Sequence, residues 1–478
     1  MVVSSSIKLR SQLYPFQRTA VERAKAFDGR CLLAMDAGTG KTLTSLTYMV
    51  ETSSFPTVIV CPASLKYNWA NELRKHYGLD SLVIDGTNVS KYSRRLPPDP
   101  HIYIINYDIL YAYTDFFLHI NPKLLILDEC QYIKNLKSRR TKACAGLAYA
   151  SDRLLGLSGT PLTRMPSDLY PLLNCIFRGQ FVSLWTFEGM YCTRYKSRFG
   201  WKITGTKNEP QLNQFLTERC MIRYKIEDVL PDLPPFIRQT TLLEMTPAQK
   251  REYELLICQF REWLQMRYPD RKIPRSDETA VLTQMGYMKR RVAEWKIPAI
   301  VENIEDFLNG SDGKLLVFAI HTKVMDGIWE KFSSKGKKGH PMAVRIDGST
   351  PAKTRDNHVQ RFQNDPSCRL FLGQIQATGT GLTLNASHHT IFAEVDFLPV
   401  THTQAEARNR RIGQDADFVH YNYILMKNTI EERVCQTLFD RQKVIDTVID
   451  GRGVEEEGTF NLVSSFIQDH VENFGLIS

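Results

Sequence analysis

The order of apolar segments predicts an α/β chain made of two mostly parallel sheets, each flanked by helices. Three observations carry this. Short, unbroken apolar runs recur roughly every 15–30 residues, as expected of strands buried on both faces. Helix-like stretches separate them, as crossover connections between parallel strands require. The runs also fall into two groups, roughly residues 30–160 and 314–425, so two such units are expected.

In chain order, strands are expected at Cys31–Met35, Val58–Cys61, Leu82–Ile84, Ile102–Ile105, Leu124–Leu127 and Arg153–Leu157, then at Leu315–Ile320, Ala343–Ile346, Leu370–Leu372 and Thr390–Ala393. Each is β-branched or leucine-rich, and many are bounded by Gly, Pro, Asp or Asn. The stretch 170–300 between the groups reads as mostly helical, with a basic helical insert at 194–207. Leu230-Pro-Asp-Leu-Pro-Pro235 reads as the linker, because proline fixes φ and ends helices. The resulting scheme is a first lobe at 1–230 with a helical insertion at about 170–225 and a linker at 231–240. A second lobe follows at 241–450 with a helical insertion at about 245–300, then a flexible tail at 451–478.

Composition agrees with this plan. The 478 residues suffice for two to four domains, and 43% hydrophobic with 24% charged residues is globular. The longest apolar run, Leu315 to Ile320, is far below the ~20 residues of a membrane span. Met1–Arg10 lacks the apolar stretch of a secretory leader. A soluble, intracellular protein without membrane partners is expected: cytoplasmic if prokaryotic or viral, nuclear if eukaryotic. Ten cysteines stand singly, none closer than 14 positions to the next, which excludes zinc-ribbon spacing and suits reduced core thiols. The net charge of +9 is concentrated in clusters: Lys134, Lys137, Arg139, Arg140 and Lys142; Arg194, Lys196, Arg198, Lys202 and Lys207; Lys289, Arg290 and Arg291. Such clusters suit a polyanion. The six tryptophans are expected as core anchors, and His388-His389 as packing rather than metal ligation.

Two motifs carry chemistry. In the first, an apolar strand runs into Gly38-Thr39-Gly40-Lys41-Thr42, followed by a helix-like stretch. Glycines let backbone amides curl around a phosphate, Lys41 adds a point charge, and the Thr42 hydroxyl suits Mg2+. The full GxxxxGK[ST] pattern is not met, because Met35 stands at the first glycine position. The second motif, Leu124-Leu-Ile-Leu-Asp-Glu129, ends a buried strand in two acids 86 positions downstream. Carboxylates there need a cation or a polar site. In a phosphate-loop ATPase, Asp128 would hold Mg2+ through water and Glu129 would orient and deprotonate the attacking water. In the second group, Arg408 and Arg411 stand three apart on one helical face. That group lacks a phosphate loop, so its arginines are expected to reach the γ-phosphate held by the first and to stabilise transition-state charge.

Several further segments then match in order, and the chain resembles the SNF2 (Swi2/Snf2-like) family of helicase superfamily 2 ATPases over roughly residues 10–445. Tyr14-Pro-Phe-Gln17 resembles the Q motif, which implies that Gln17 contacts adenine. Asp36-Ala-Gly-Thr-Gly-Lys-Thr42 resembles motif I, Val58-Ile-Val-Cys-Pro-Ala-Ser64 motif Ia, and Asp128-Glu-Cys-Gln131 motif II. Leu157-Ser-Gly-Thr-Pro161 resembles motif III, which links the ATP site to the DNA path. Leu316-Val-Phe-Ala319 resembles motif IV, Gly379-Thr-Gly-Leu-Thr-Leu-Asn385 motif V, and Gln404 to Gln414, with its RIGQ ending, motif VI. Within the family the likeness is greatest to the HARP-like annealing-helicase subgroup, carried by Ile297-Pro-Ala-Ile-Val-Glu302, Arg345-Ile-Asp-Gly-Ser349 and Phe392-Ala-Glu394. Motif II departs from the family by reading DECQ, which keeps both acids. No accessory domain is recognised, so a minimal motor is expected.

The resemblance implies two RecA-like lobes, ATP and Mg2+ as cofactors, and ATP-driven translocation on double-stranded or branched DNA. Remodelling of the annealing or fork type is expected, by a monomer that a protein partner recruits. The alternative is a strand-separating superfamily 2 helicase on DNA or RNA. The resemblance implies catalytic roles for Lys41, Asp128, Glu129, Arg408 and Arg411. Nucleotide contacts are implied for Gln17, Gly38, Thr39, Gly40, Lys41, Thr42 and Gly381, and Mg2+ ligation for Thr42 and Asp128. Coupling falls to Ser158, Gly159 and Gln404, and DNA contacts to Lys134, Asn135, Arg139, Arg140, Thr160 and Thr378.

Overall fold

The computed structural model describes residues 7–93, 101–163, 165–197, 200–267, 278–333, 342–378, 382–396, 398–411, 413–432, 434–435 and 448–450. The chain divides after Asp232 into two units, and Val448–Asp450 return to the first of them.

The first unit carries β1 (Arg30–Met35), β2 (Thr57–Cys61), β3 (Leu82–Val83), β4 (Ile102–Asn106), β5 (Leu124–Asp128), β6 (Arg153–Leu157), β7 (Cys192–Ser197), β8 (Gly200–Thr206) and β9 (Met221–Tyr224). Seven of these form one sheet in the order β3-β4-β2-β5-β6-β1-β9, with every pairing parallel. Its central strands are largely apolar because both faces are covered. Leu32, Ala34, Val58 and Val60 join the core on one face; Cys31, Leu33, Met35, Ile59 and Cys61 join the core on the other. The helix Lys41–Glu51 follows β1 and buries Leu46, Met49 and Val50. Both chemical motifs therefore sit at carboxyl ends of central strands, β1 and β5, where open α/β sheets place ligand crevices.

The second unit repeats the plan with β10 (Phe236–Leu243), β11 (Leu315–Ala319), β12 (Ala343–Ile346), β13 (Leu370–Gln374), β14 (His389–Phe392) and β15 (Val419–Met426). The order is β10-β15-β14-β11-β13-β12, again all parallel. Leu315, Val317 and Ala319 face one core, and Leu316 and Phe318 the other.

The stretch 170–300 is mostly helical as expected, but it also holds four strands, β7, β8, β9 and β10, that its sequence did not signal. The basic insert at 194–207 is not helical. It is an antiparallel pair in which Arg194 faces Ile203 and Lys196 faces Trp201. Aromatic and β-branched residues supply strand propensity there, while interleaved charges hide the apolar alternation. Trp69 is a core residue as expected, but Trp185 and Trp201 are 50% and 49% exposed. The His389 ring stacks on His420 at 4.8 Å and lies 4.9 Å from Phe307, so it packs. All ten cysteines are free, and eight are buried.

Candidate active site

The phosphate loop is shaped by two left-handed glycines, Gly38 at φ 88° and Gly40 at φ 82°. Gly40 is needed twice over, because a Cβ there would lie 2.3 Å from Gln17 Nε2. Buried Gln17 donates from that nitrogen to Thr39 O (2.9 Å) and accepts from the Tyr14 N–H (3.0 Å). Gln17 thus braces the loop from behind. Thr39 Oγ1 donates to Asp36 O at 2.7 Å. Lys41 Nζ donates to Met35 O (2.7 Å) and Asp36 O (3.1 Å), so Met35 contributes its carbonyl where a glycine was expected. Thr42 lies in the first turn of the helix Lys41–Glu51. The N–H groups of that turn lack intrahelical partners and attract anions.

Asp128 ends β5 almost fully buried. Its Oδ2 accepts from Trp69 Nε1 (2.8 Å), and its main-chain oxygen accepts from the Tyr107 hydroxyl (2.8 Å). Burial pushes its carboxyl up to about 7, with the Glu129 charge adding to the effect. The Trp69 hydrogen bond and the Lys41 charge pull the other way. Glu129 holds a left-handed φ of 52°, a strained conformation for a residue with a side chain. Its carboxylate accepts from Gln131 Nε2 (2.6 Å), and Gln131 Oε1 accepts from Ser158 Oγ (2.8 Å). Ser158 Oγ in turn accepts from the Thr160 N–H at 3.0 Å. A Cβ at Gly159 would lie 3.3 Å from Ala37 N and 3.4 Å from Met35 O, so the loop after β6 rests on the phosphate loop's backbone. One continuous set of contacts therefore joins Lys41's loop, Glu129 and residues 158–160. Sequence reading passed over Gln131 and the Trp69 hydrogen bond; neither has a local spacing signal.

Asp36 opens the phosphate loop. Its Oδ1 accepts from Arg223 Nη1 at 2.5 Å, and its Oδ2 from the Ile226 N–H at 3.1 Å. Arg223 also donates to Asp450 Oδ1 at 2.6 Å, and Lys225 lies 2.7 Å from Asp450 Oδ2. Burial works to lower the Arg223 pKa, but Asp36 and Asp450 together raise it.

In the second unit, Arg408 is buried. Its Nε donates to Gln404 O (2.8 Å), and both Arg408 (3.3 Å) and Arg411 (3.1 Å) donate from Nη1 to Leu382 O. The two arginines thus converge on the middle of motif V. Gly381 lies outside the described residues. Of the expected DNA contacts, Asn135 and Arg139 are exposed, while Lys134 and Arg140 are half-buried. Lys134 Nζ donates to Thr163 Oγ1 at 3.2 Å, and Asn135 Oδ1 accepts from the Lys137 N–H at 3.0 Å. Thr160 and Thr378 are buried; the Thr378 hydroxyl donates to Gln374 O at 2.7 Å.

A family model described as "SNF2-related domain" matches residues 17–292, more than half of the chain. The chain belongs to the SNF2-related family. A second model, "Helicase conserved C-terminal domain", matches residues 295–413. Among curated relatives, the mouse (Mus musculus) protein "DNA annealing helicase and endonuclease ZRANB3" is 31% identical over 95% of this chain and 42% of its own length. The Xenopus laevis "SWI/SNF-related matrix-associated actin-dependent regulator of chromatin subfamily A-like protein 1" is 32% identical over 92% of this chain and 44% of its own. The chain thus spans less than half the length of these two relatives. A solved structure, "Sulfolobus solfataricus SWI2/SNF2 ATPase core in complex with dsDNA", aligns at TM-score 0.44 and 22% identity, covering 93% of this chain and 94% of that one.

The SNF2-related family uses ATP, with Mg2+ as the usual metal. The donor set of this SNF2-related chain fits both. The loop presents backbone amides and a lysine for phosphates. Asp128 is a buried carboxyl held partly neutral, which a divalent cation would favour in its ionised form. No helix is long and apolar enough to cross a membrane among the described residues.

Proposed function

We propose that this chain is a DNA-dependent ATPase that translocates on double-stranded DNA and remodels DNA structures or protein–DNA complexes, in the annealing or fork-remodelling manner. The observation that carries it is the Glu129–Gln131–Ser158–Thr160 relay, which ties the candidate base to the loop expected to sense DNA. The mouse relative named as a DNA annealing helicase, matched across almost the whole of this chain, supports the same reading.

In this reading Lys41 neutralises phosphate charge, while Gly38, Thr39 and Gly40 shape the cradle and Gln17 braces it beside the base. Thr42 and Asp128 hold Mg2+, which supplies further charge neutralisation on the phosphates. Glu129 orients the attacking water and takes its proton. Arg408 and Arg411 act as the second unit's catalytic arginines, Gly381 is a nucleotide contact, and Gln404 joins Ser158 and Gly159 in coupling. DNA is gripped through its phosphates by Lys134, Asn135, Arg139 and Arg140, with Thr160 and Thr378 close to the path. A protein partner recruits the monomer to its site.

Steady-state ATP hydrolysis at fixed salt tests this, with no nucleic acid, single-stranded DNA, duplex DNA, forked DNA or RNA added. Strong stimulation by duplex or forked DNA is expected. Stimulation by single strands or RNA alone would replace the proposal with a strand-separating helicase.

A further inference from the structure

Trp185 lies on the helix Leu184–Tyr191 and Trp201 on β8, yet the two indoles meet edge to face with centroids 5.3 Å apart. Both are about half exposed, so neither is an ordinary core residue. The Arg194 guanidinium lies 3.9 Å from the Trp185 ring centroid and 5.7 Å from that of Trp201, and Nη1 donates to Trp185 O at 2.9 Å. Arg194 itself is only 14% exposed, so it holds the rings from beneath. Glycine weakens a helix interior, but at Gly189 a Cβ would lie 2.8 Å from Arg194 Nη2. A side chain at that position would push the guanidinium aside. Lys196, exposed, is the cross-strand neighbour of Trp201.

We propose that Trp185 and Trp201, buttressed by Arg194, form a stacking platform for unpaired bases of a DNA strand. The proposal rests on the reading of the chain as a DNA-acting enzyme and names the part of the DNA that this face takes. Large exposed rings with cations beside them match a polyanion that carries flat, apolar bases. In a duplex the base faces are already stacked on one another, so only unpaired nucleotides offer them, as at a fork.

The test uses the intact chain without nucleotide at fixed salt. Affinities are measured by fluorescence anisotropy for a labelled blunt duplex and for the same duplex ending in two unpaired arms. The wild type is expected to bind the fork more tightly than the duplex, and the fork is expected to quench tryptophan emission. Trp185→Ala with Trp201→Ala should lower the fork-over-duplex ratio by at least roughly fivefold. Trp201→Phe should keep most of the ratio. Trp201→Leu, a single change at an exposed position that guards against a fold defect in the double variant, should lose much of it. An unchanged ratio in Trp201→Leu, or a wild type that does not prefer the fork, overturns the platform and leaves the ATPase proposal standing. A wild type that binds neither DNA removes that proposal and the platform with it. Retained DNA ratios alongside loss of binding to a protein would assign the face to a protein partner instead.

Discussion

The surroundings of Asp128 disfavour its charged form. An unfolded aspartate titrates near 3.9, whereas burial raises this carboxyl to about 7 in the folded chain. Between those values the folded state keeps a proton that the unfolded chain has released, so stability falls as pH rises from about 4 to about 7 and is flat above. Asp128→Asn should therefore raise the Tm of the nucleotide-free protein by a few degrees at pH 8 and by little at pH 4. It should also cut ATP hydrolysis by roughly a hundredfold or more. Thermal melts across that pH range check this; parallel curves for the two proteins would show that burial does not penalise the charge. Gln131 carries a second prediction. It bridges Glu129 and Ser158, so Gln131→Ala should lower kcat for DNA-stimulated hydrolysis roughly ten- to hundredfold with little change in KM for ATP. An unchanged kcat would remove Gln131 from the relay. Lys41, Asp128 and Glu129 were legible because their chemistry depends on consecutive residues beside an apolar strand. Gln131 was not, because its partner Ser158 lies 27 positions away and only the pairing of β5 with β6 brings them together. The positive φ of Glu129 has no signature in a sequence either.

Strands buried on both faces announce themselves, and β1, β2, β4, β5, β6 and β11 were readable to within a residue or two. Of the four edge strands, β3 and β12 were readable to within a residue, but β9 and β10 were not. β10 closes the second sheet at one edge with mostly exposed or half-exposed residues, so its sequence Phe-Ile-Arg-Gln-Thr-Thr-Leu-Leu carries no continuous apolar run. β9 is also an edge strand, and half of its four residues are not fully buried. Its Arg223 shows what holds that edge. The guanidinium lies between Asp36 of the phosphate loop and Asp450 of the returning segment Val448–Asp450, whose carbonyls at 448 and 449 accept from Asn213 Nδ2 at 3.0 Å. Asp450 is only 5% exposed in its side chain, so removing it leaves half-buried Arg223 with one carboxylate and Lys225 without this partner. Asp450→Ala should destabilise the first unit by about 1–3 kcal/mol, with Asp450→Asn costing less. Chemical denaturation of both variants measures this, and a wild-type midpoint for Asp450→Ala would show that the returning segment does not secure β9.

Across the whole molecule the excess of nine positive charges matters less than where the cations stand. Arg139 and Arg140 occupy the first turn of the helix Arg139–Ala150, where the helix dipole disfavours cations, although Ser138 caps that end through the Thr141 N–H. Each sits beside a tyrosine, Arg139 at 5.7 Å from the Tyr111 ring and Arg140 at 5.8 Å from that of Tyr132. Arg140 also lies 3.5 Å from Asp108, whereas exposed Arg139, kept at an unfavourable helix end beside a ring, suits an external anion. If that anion is DNA phosphate, each contact releases a counterion, and log K falls with log salt by about 0.9 per phosphate neutralised. Arg139→Ala should then make the slope shallower by about one and weaken duplex and fork alike. Trp201→Leu should do the opposite: it should weaken fork binding at every salt concentration and leave the slope unchanged, since stacking releases no counterions. Measuring both variants on both DNAs over a salt series thus separates the two kinds of contact. A slope unchanged by Arg139→Ala would place that arginine outside the phosphate path, and a slope changed by Trp201→Leu would mean that the aromatic face acts through charge rather than through its rings.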